Sequence, residues 1–216
     1  MTTALLSIAY FPPIQYFSKF FAYNIVIEKY EHFIKQTYRN RTQILTSTGV
    51  HSLTVPVKKK NNTIITDVLI DNTISWQRNH LRSLQTAYGN SPFFEYLIED
   101  LIHIFTTKYD YLWDLNIATI DAIISILDLD VKINFSTDFF PPAEDEFEKL
   151  PFKDFRYIIK PKNPPDDLEF VPNEYRQVFA EKFAFIPNLS ILDILFNTGP
   201  EAKSIIKNSY RAIESA

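Results

Sequence analysis

The sequence predicts an α/β fold: a mixed β-sheet with packed helices, arranged as a three-layer-like single domain over residues 1–216. Three observations carry this expectation. Short β-branched and apolar segments open the chain, a helical period takes over at Ser75, and a strand-like segment returns at Val131. Leu5 to Tyr10 reads as a buried strand that Pro12-Pro13 ends. Ile14 to Ala22 reads as a short aromatic helix or turn, and Tyr23 to Glu28 as a second strand.

Thr42 to Ser47 and His51 to Val57 form the arms of a hairpin around Thr48-Gly49. In the second arm Leu53, Val55 and Val57 alternate inward, and Pro56 suggests a sheet edge. Ile64 to Ile70 is expected as a further strand. From Ser75 to Tyr88 the residues Trp76, His80, Leu84 and Ala87 share one helical stripe. The next helix takes Ser91 as its N-cap with Pro92 in the first turn, and a third starts near Asp110.

Residues 137–174 hold many of the prolines and much acidic charge. They read as a surface excursion with one strand-like stretch, Arg156 to Lys160. Two helices close the chain over Ser190 to Phe196 and Glu201 to Ile213, split at Gly199-Pro200. A ligand site is expected at the carboxyl ends of the parallel strands, where the loops of an open α/β sheet leave a crevice.

Composition excludes several chemistries. With 46% hydrophobic residues and a net charge of −4, the chain is globular. No apolar run reaches the ~18 residues that span a bilayer. Met1 to Ala4 carry no basic residue ahead of the apolar stretch, so no secretory signal is expected and the cytoplasm is the expected location. The absence of cysteine removes disulfides, thiol nucleophiles and Cys-ligated metal.

Only three glycines occur, too few for a Walker loop or a dinucleotide fingerprint; a nucleotide held by another route stays open. His32, His51, His80 and His103 show no i,i+4 spacing, so no metal is expected, and composition names no cofactor. The net negative charge speaks against nucleic acid as a partner. Lys58-Lys59-Lys60, followed by Asn61, reads as a solvated turn.

Four motifs recur in order along the chain. The first is Tyr10, Pro12, Tyr16 and Phe17, and the second is Phe33-Ile34-Lys35 followed by Asn40-Arg41. The third is Trp76, His80, Tyr88 and Pro92-Phe93-Phe94, and the fourth is the run from Ile186 to Asn197. Together they resemble the WbqC-like family of bacterial proteins.

Two departures stand out. Many members carry His-Gln-Pro where this chain has Leu6, Ser7 and Ile8, and many carry a Ser-Gly loop in a region where this chain has no glycine. Some members are encoded among genes for surface-polysaccharide synthesis. The resemblance therefore implies group transfer on an activated sugar or another small anionic ligand; the alternative is a non-catalytic binding or partner-interaction protein that kept the fold.

The polar positions inside these apolar blocks are the candidate site residues. Lys35, Asn40 and Arg41 suit an anion, because a guanidinium binds carboxylate and phosphate bidentately. His80 and Asp193 are candidates for moving a proton. Each has a plainer alternative: a hairpin tied to acidic loops, a core histidine bonded to one carbonyl, and for Asp193 a solvent-facing helix position or a structural ion pair. Lys35, Arg41, His80 and Asp193 are expected to converge on one cleft, with Arg41 the favoured partner of Asp193 and His80 second.

Overall fold

The computed structural model describes residues 2–58, 62–142 and 152–213. Its centre is a parallel sheet. Strand β1 (Thr3–Ser7) lies between β2 (Asn24–Glu28) and β6 (Phe152–Asp154), and β5 (Ile133–Phe135) pairs with the outer side of β2. The registers Ser7↔Glu28, Leu5↔Asp154 and Ile27↔Phe135 bring the carboxyl ends of all four strands to one edge. Ala4, Leu5, Leu6, Ile25 and Ile27 are buried, as expected of parallel strands covered on both faces.

A separate antiparallel hairpin joins β3 (Arg41–Thr46) to β4 (Gly49–Thr54). Its turn uses Gly49 at φ 111°, a conformation that L side chains rarely adopt. The mixed α/β class read from the sequence is thus present, with the two strand directions in two separate sheets.

The helices are α1 (Ile14–Ser18), α2 (Trp76–Tyr88), α3 (Phe94–Thr106), α4 (Leu112–Ile126), α5 (Ile191–Thr198) and α6 (Ala202–Asn208). The α5 helix is buried on nearly every side, with Ile191, Leu192, Ile194, Leu195 and Phe196 all enclosed. Ser190, where the sequence places the start of this helix, caps it, its Oγ accepting from the Leu192 N–H. The Ile191 N–H donates to the Pro12 carbonyl, and the Ile14 N–H to Leu189. The opening and closing motifs therefore adjoin across the whole length of the chain.

Several expectations shift. Ile64 to Ile70 is not a strand. It turns through a short 3-10 segment, Ile65–Asp67, because its flanks bond different neighbours one residue at a time: Ile64 to His32, Leu69 to Tyr111 and Ile70 to Val57. Ser91 does not cap α3. Phe93 holds that position, its N–H donating to the Phe196 carbonyl, while the buried Ser91 hydroxyl has no partner among the described residues.

Arg156 to Lys160 is a turn following β6, since the Arg156 side chain folds back onto Asp154. The last helix is shorter than expected and stops at Ser209, where the chain turns to pair Tyr210 with Phe170. Lys59, Lys60 and Asn61 of the expected solvated turn, and residues 143–151 of the excursion, lie outside the described residues. No helix among the described residues is long and apolar enough to cross a membrane.

Candidate functional site

Each polar position named from the sequence has a definite setting. His80 lies on α2 with 5% of its surface exposed, edge-on to Trp76 and tilted against Tyr10. Its Nδ1 sits 3.0 Å from the Tyr10 hydroxyl, and the ring also bonds the main chain of Thr54. Burial pushes its pKa down to about 4, against the support of the Thr54 bond, so the imidazole is neutral at pH 7.

Asp193 is fully enclosed. Its Oδ1 accepts from the Tyr88 hydroxyl at 2.7 Å. Its Oδ2 accepts from the Tyr175 hydroxyl at 2.6 Å and from Gln177 Nε2 at 3.1 Å. Burial raises the Asp193 pKa, and the three donors oppose that rise.

The expected pairing of Asp193 with Arg41, or with His80, is not found. Three neutral donors fill the acceptor sites of the carboxylate, so no cation is needed there. Arg41 instead opens β3 opposite Thr54. Asn40 closes the hairpin base, its Nδ2 donating to the Val55 carbonyl at 2.9 Å. Lys35 is exposed on the loop between β2 and β3.

No hydrogen bond or ion pair among the described residues joins any two of Lys35, Asn40, Arg41, His80 and Asp193. All but Lys35 are tied to the hairpin. Thr54 links Arg41 to His80, and the Tyr88 hydroxyl, bonded to the Leu45 N–H, links the hairpin to Asp193.

A denser polar constellation occupies the carboxyl edge of the parallel sheet. Ser7 ends β1, and its hydroxyl donates to Glu31 Oε2 at 2.9 Å while accepting from Arg39 Nη2 at 2.8 Å. Arg39 also grips Glu31 through Nε and Nη2, a bidentate pair with both side chains 3% exposed. Burial raises the Glu31 pKa, while Arg39 and Ser7 pull it down.

One strand over, Glu28 ends β2 with Oε1 accepting from Ser136 Oγ and the Tyr30 N–H. Its Oε2 accepts from the Phe140 N–H and from Arg156 Nη1. Arg156 chelates Asp154 through Nε and Nη2. Burial works against the Arg156 charge, but Asp154 and Glu28 outweigh it and its pKa is raised. Three carboxylates thus face two guanidinium groups, and the cluster carries one net negative charge.

Between these groups lies a crevice walled by Ser7, Ala9, Arg39, Phe155, Arg156 and Ile159. Its free volume of about 10 Å³ admits one water molecule. Two loops close over it: Thr37 and Tyr38 on one side, Phe155 to Ile159 on the other. An exposed 3.4 Å contact from Lys162 Nζ to Gln36 Oε1 bridges these loops further out. Arg39 Nη1 makes no hydrogen bond among the described residues, so this side chain, one of those lining the crevice, keeps two donors uncommitted.

The sequence reading chose Asn40 and Arg41 beside Arg39 and gave no site role to Ser7, Glu28, Glu31 or Arg156. The signal for them was positional. They end strands or follow them directly, where parallel-sheet proteins hold their ligands. Among the described residues no group of three or more His, Asp or Glu side chains is arranged to hold a metal ion.

These features define an α/β protein with a buried ionic cluster at the carboxyl edge of a parallel sheet. The WbqC-like protein family matches residues 9–151 and 167–205, and the chain belongs to that family. It is also 28% identical over 221 residues to the uncharacterized protein Rv1507c of Mycobacterium tuberculosis, covering 92% of this chain and 91% of that one. No solved structure matches it.

Proposed function

We propose that this WbqC-like protein binds a small anionic ligand at the carboxyl edge of its parallel sheet, and that the ligand is an activated sugar or a similar metabolite undergoing group transfer. One observation carries the reading: Arg39, which lines the crevice, is held by Glu31 and Ser7 through Nε and Nη2 yet keeps its two Nη1 donors free of hydrogen bonds among the described residues. A guanidinium fixed on one side and open on the other suits the docking of phosphate or carboxylate. Lys35, on the loop that leads to Arg39, supplies an outer positive charge, and the 34–38 and 157–162 loops part to admit the ligand.

The setting of His80 and Asp193 favours a second reading, a non-catalytic binding protein. Both are enclosed and already hydrogen-bonded, so a proton-moving role for either requires the hairpin to shift away from α2 and α5. Isothermal titration with inorganic diphosphate, UDP and UDP-glucose at low salt tests the binding claim. Wild-type protein should bind at least one of them, and Arg39→Lys, which keeps the charge but loses the fork, should weaken that binding about tenfold. Equal affinity in a folded Arg39→Lys variant sinks the assignment to Arg39. Turnover of a bound nucleotide sugar separates the enzyme from the binding protein.

A further inference from the structure

A second cavity shares no lining residue with the crevice at the sheet edge. It lies between the turn from α2 to α3, the last turn of α5 and the segment at residues 176–179, and its volume is about 390 Å³. Small-molecule sites span ~300–1,000 Å³. Of its walls, Thr86, Asn90 and Arg176 are exposed, while Ala87, Ser91 and Gln177 are buried, so the cavity runs from solvent into the protein.

Hydrogen bonds hold these walls in place. The Ser91 N–H donates to the Tyr88 carbonyl at 2.8 Å and the Phe93 N–H to the Phe196 carbonyl at 3.1 Å, which ties the α2–α3 turn to α5. Both ends of the Gln177 amide are committed. Its Nε2 donates to Asp193 Oδ2 at 3.1 Å, and its Oε1 accepts from the Ile186 N–H at 2.9 Å. Asn197 Nδ2 donates to the Asp193 carbonyl at 2.7 Å, and its Oδ1 has no partner among the described residues.

Two further lining groups are uncommitted. Ser91 is 7% exposed, and its hydroxyl has no partner among the described residues. A buried hydroxyl left in that state costs stability, and few persist in folded proteins. Arg176 makes no hydrogen bond or ion pair among the described residues. An exposed arginine without a partner is ordinary by itself, but this one lines the same cavity as the unpartnered hydroxyl. Among the described residues that line the cavity none is acidic, and Val178 and Phe179 give it an apolar side.

We infer that this cavity is a second ligand site, one that takes a small carboxylic acid bearing a single negative charge and further hydroxyl or amide groups. The Arg176 fork meets the carboxylate, Ser91 and the amides of Asn90 and Asn197 meet the polar groups, and Phe179 covers the carbon frame. The single charge follows from the surroundings. Arg176 and Asn197 also line an adjoining cavity whose walls include Glu174 and Glu201. Two carboxylates near one guanidinium disfavour a phosphate or a dicarboxylate relative to a monoanion. This site is independent of Arg39 and of the anion proposed there.

The test is a titration of the intact ¹⁵N-labelled chain with lactate, glycerate and hippurate at constant ionic strength, followed by NMR at the Asn90 and Asn197 side-chain amides and the Arg176 Nε–H. At least one of these monocarboxylates should shift the three signals saturably. Arg176→Gln should weaken that binding about tenfold and Ser91→Ala about threefold, both with an unchanged melting temperature, because neither side chain bonds another described residue. Arg39→Lys should leave it as in the wild type. The inference is overturned if none of the three acids shifts these signals, if either cavity variant binds as wild type, or if succinate or inorganic phosphate binds there more tightly. Loss of the shifts in Arg39→Lys would place the anion at the sheet edge and overturn the second site alone.

Discussion

Asp193 and His80 show how the same burial acts on opposite charges. Burial raises the carboxyl pKa of Asp193, so its ionised form weighs against the fold. Stability from this group is greatest when it is protonated and declines as pH rises above the unfolded value near 3.8. The carboxylate nonetheless organises three donors. Asp193→Ala should cost about 3 kcal/mol by stranding the Tyr88, Tyr175 and Gln177 donors. Asp193→Asn should cost less, and its deficit relative to wild type should shrink between pH 4 and pH 7. Urea melts at both values decide this, and a deficit that grows with pH contradicts the assignment.

His80 works the other way. Its pKa falls from 6.5 to about 4 on folding, so its contribution is full above 6.5 and is lost as pH falls through 4. The loss is on the order of 3 kcal/mol. His80→Gln, which stays neutral, should flatten the stability profile across that window.

At the scale of elements, the two glycines with positive φ make unequal demands. At Gly49 an added Cβ meets open space, so Gly49→Ala should cost only the strained backbone, about 1 kcal/mol. At Gly199 an added Cβ would lie 2.5 Å from the Phe93 ring in addition to the φ of 53°. Gly199→Ala should therefore destabilise by roughly 3 kcal/mol or more, measured by the same melts. Similar losses for the two would contradict the packing of the 93 and 199 regions.

Elements with their own period were legible in the sequence. The stripe Trp76, His80, Leu84 and Ala87 gave α2, and Ser190 marked the start of α5. Ile64 to Ile70 misled because its apolar residues are buried by single bridges to three neighbours, which leaves no periodic trace distinct from a strand. Asp193 was legible as a polar position in an apolar run, but neither its full burial nor its partners were, since tyrosines 105 and 18 residues away replace the expected cation.

At the scale of the whole molecule, the carboxyl edge is assembled from distant chain. Arg156 meets Glu28 across 128 residues and Ser136 meets Glu28 across 108, so no local motif could announce the cluster. Only the rule that parallel sheets hold ligands at their carboxyl ends pointed to its place. Arg156→Ala leaves Glu28 and Asp154 without their shared cation and should cost about 3–5 kcal/mol. Arg156→Lys should recover little of it, because one ammonium cannot reproduce the fork onto both carboxylates. Full recovery by lysine would show that the cluster needs only charge.

Arg39 is the group on which anion binding at the carboxyl edge depends. A crystal soaked in tungstate, a heavy phosphate mimic, tests this directly by anomalous difference density. The account predicts a peak beside Arg39 Nη1 between the 34–38 and 157–162 loops, with the loops moved apart. Density confined to exposed lysines, with the crevice closed and Arg39 unoccupied, would contradict it.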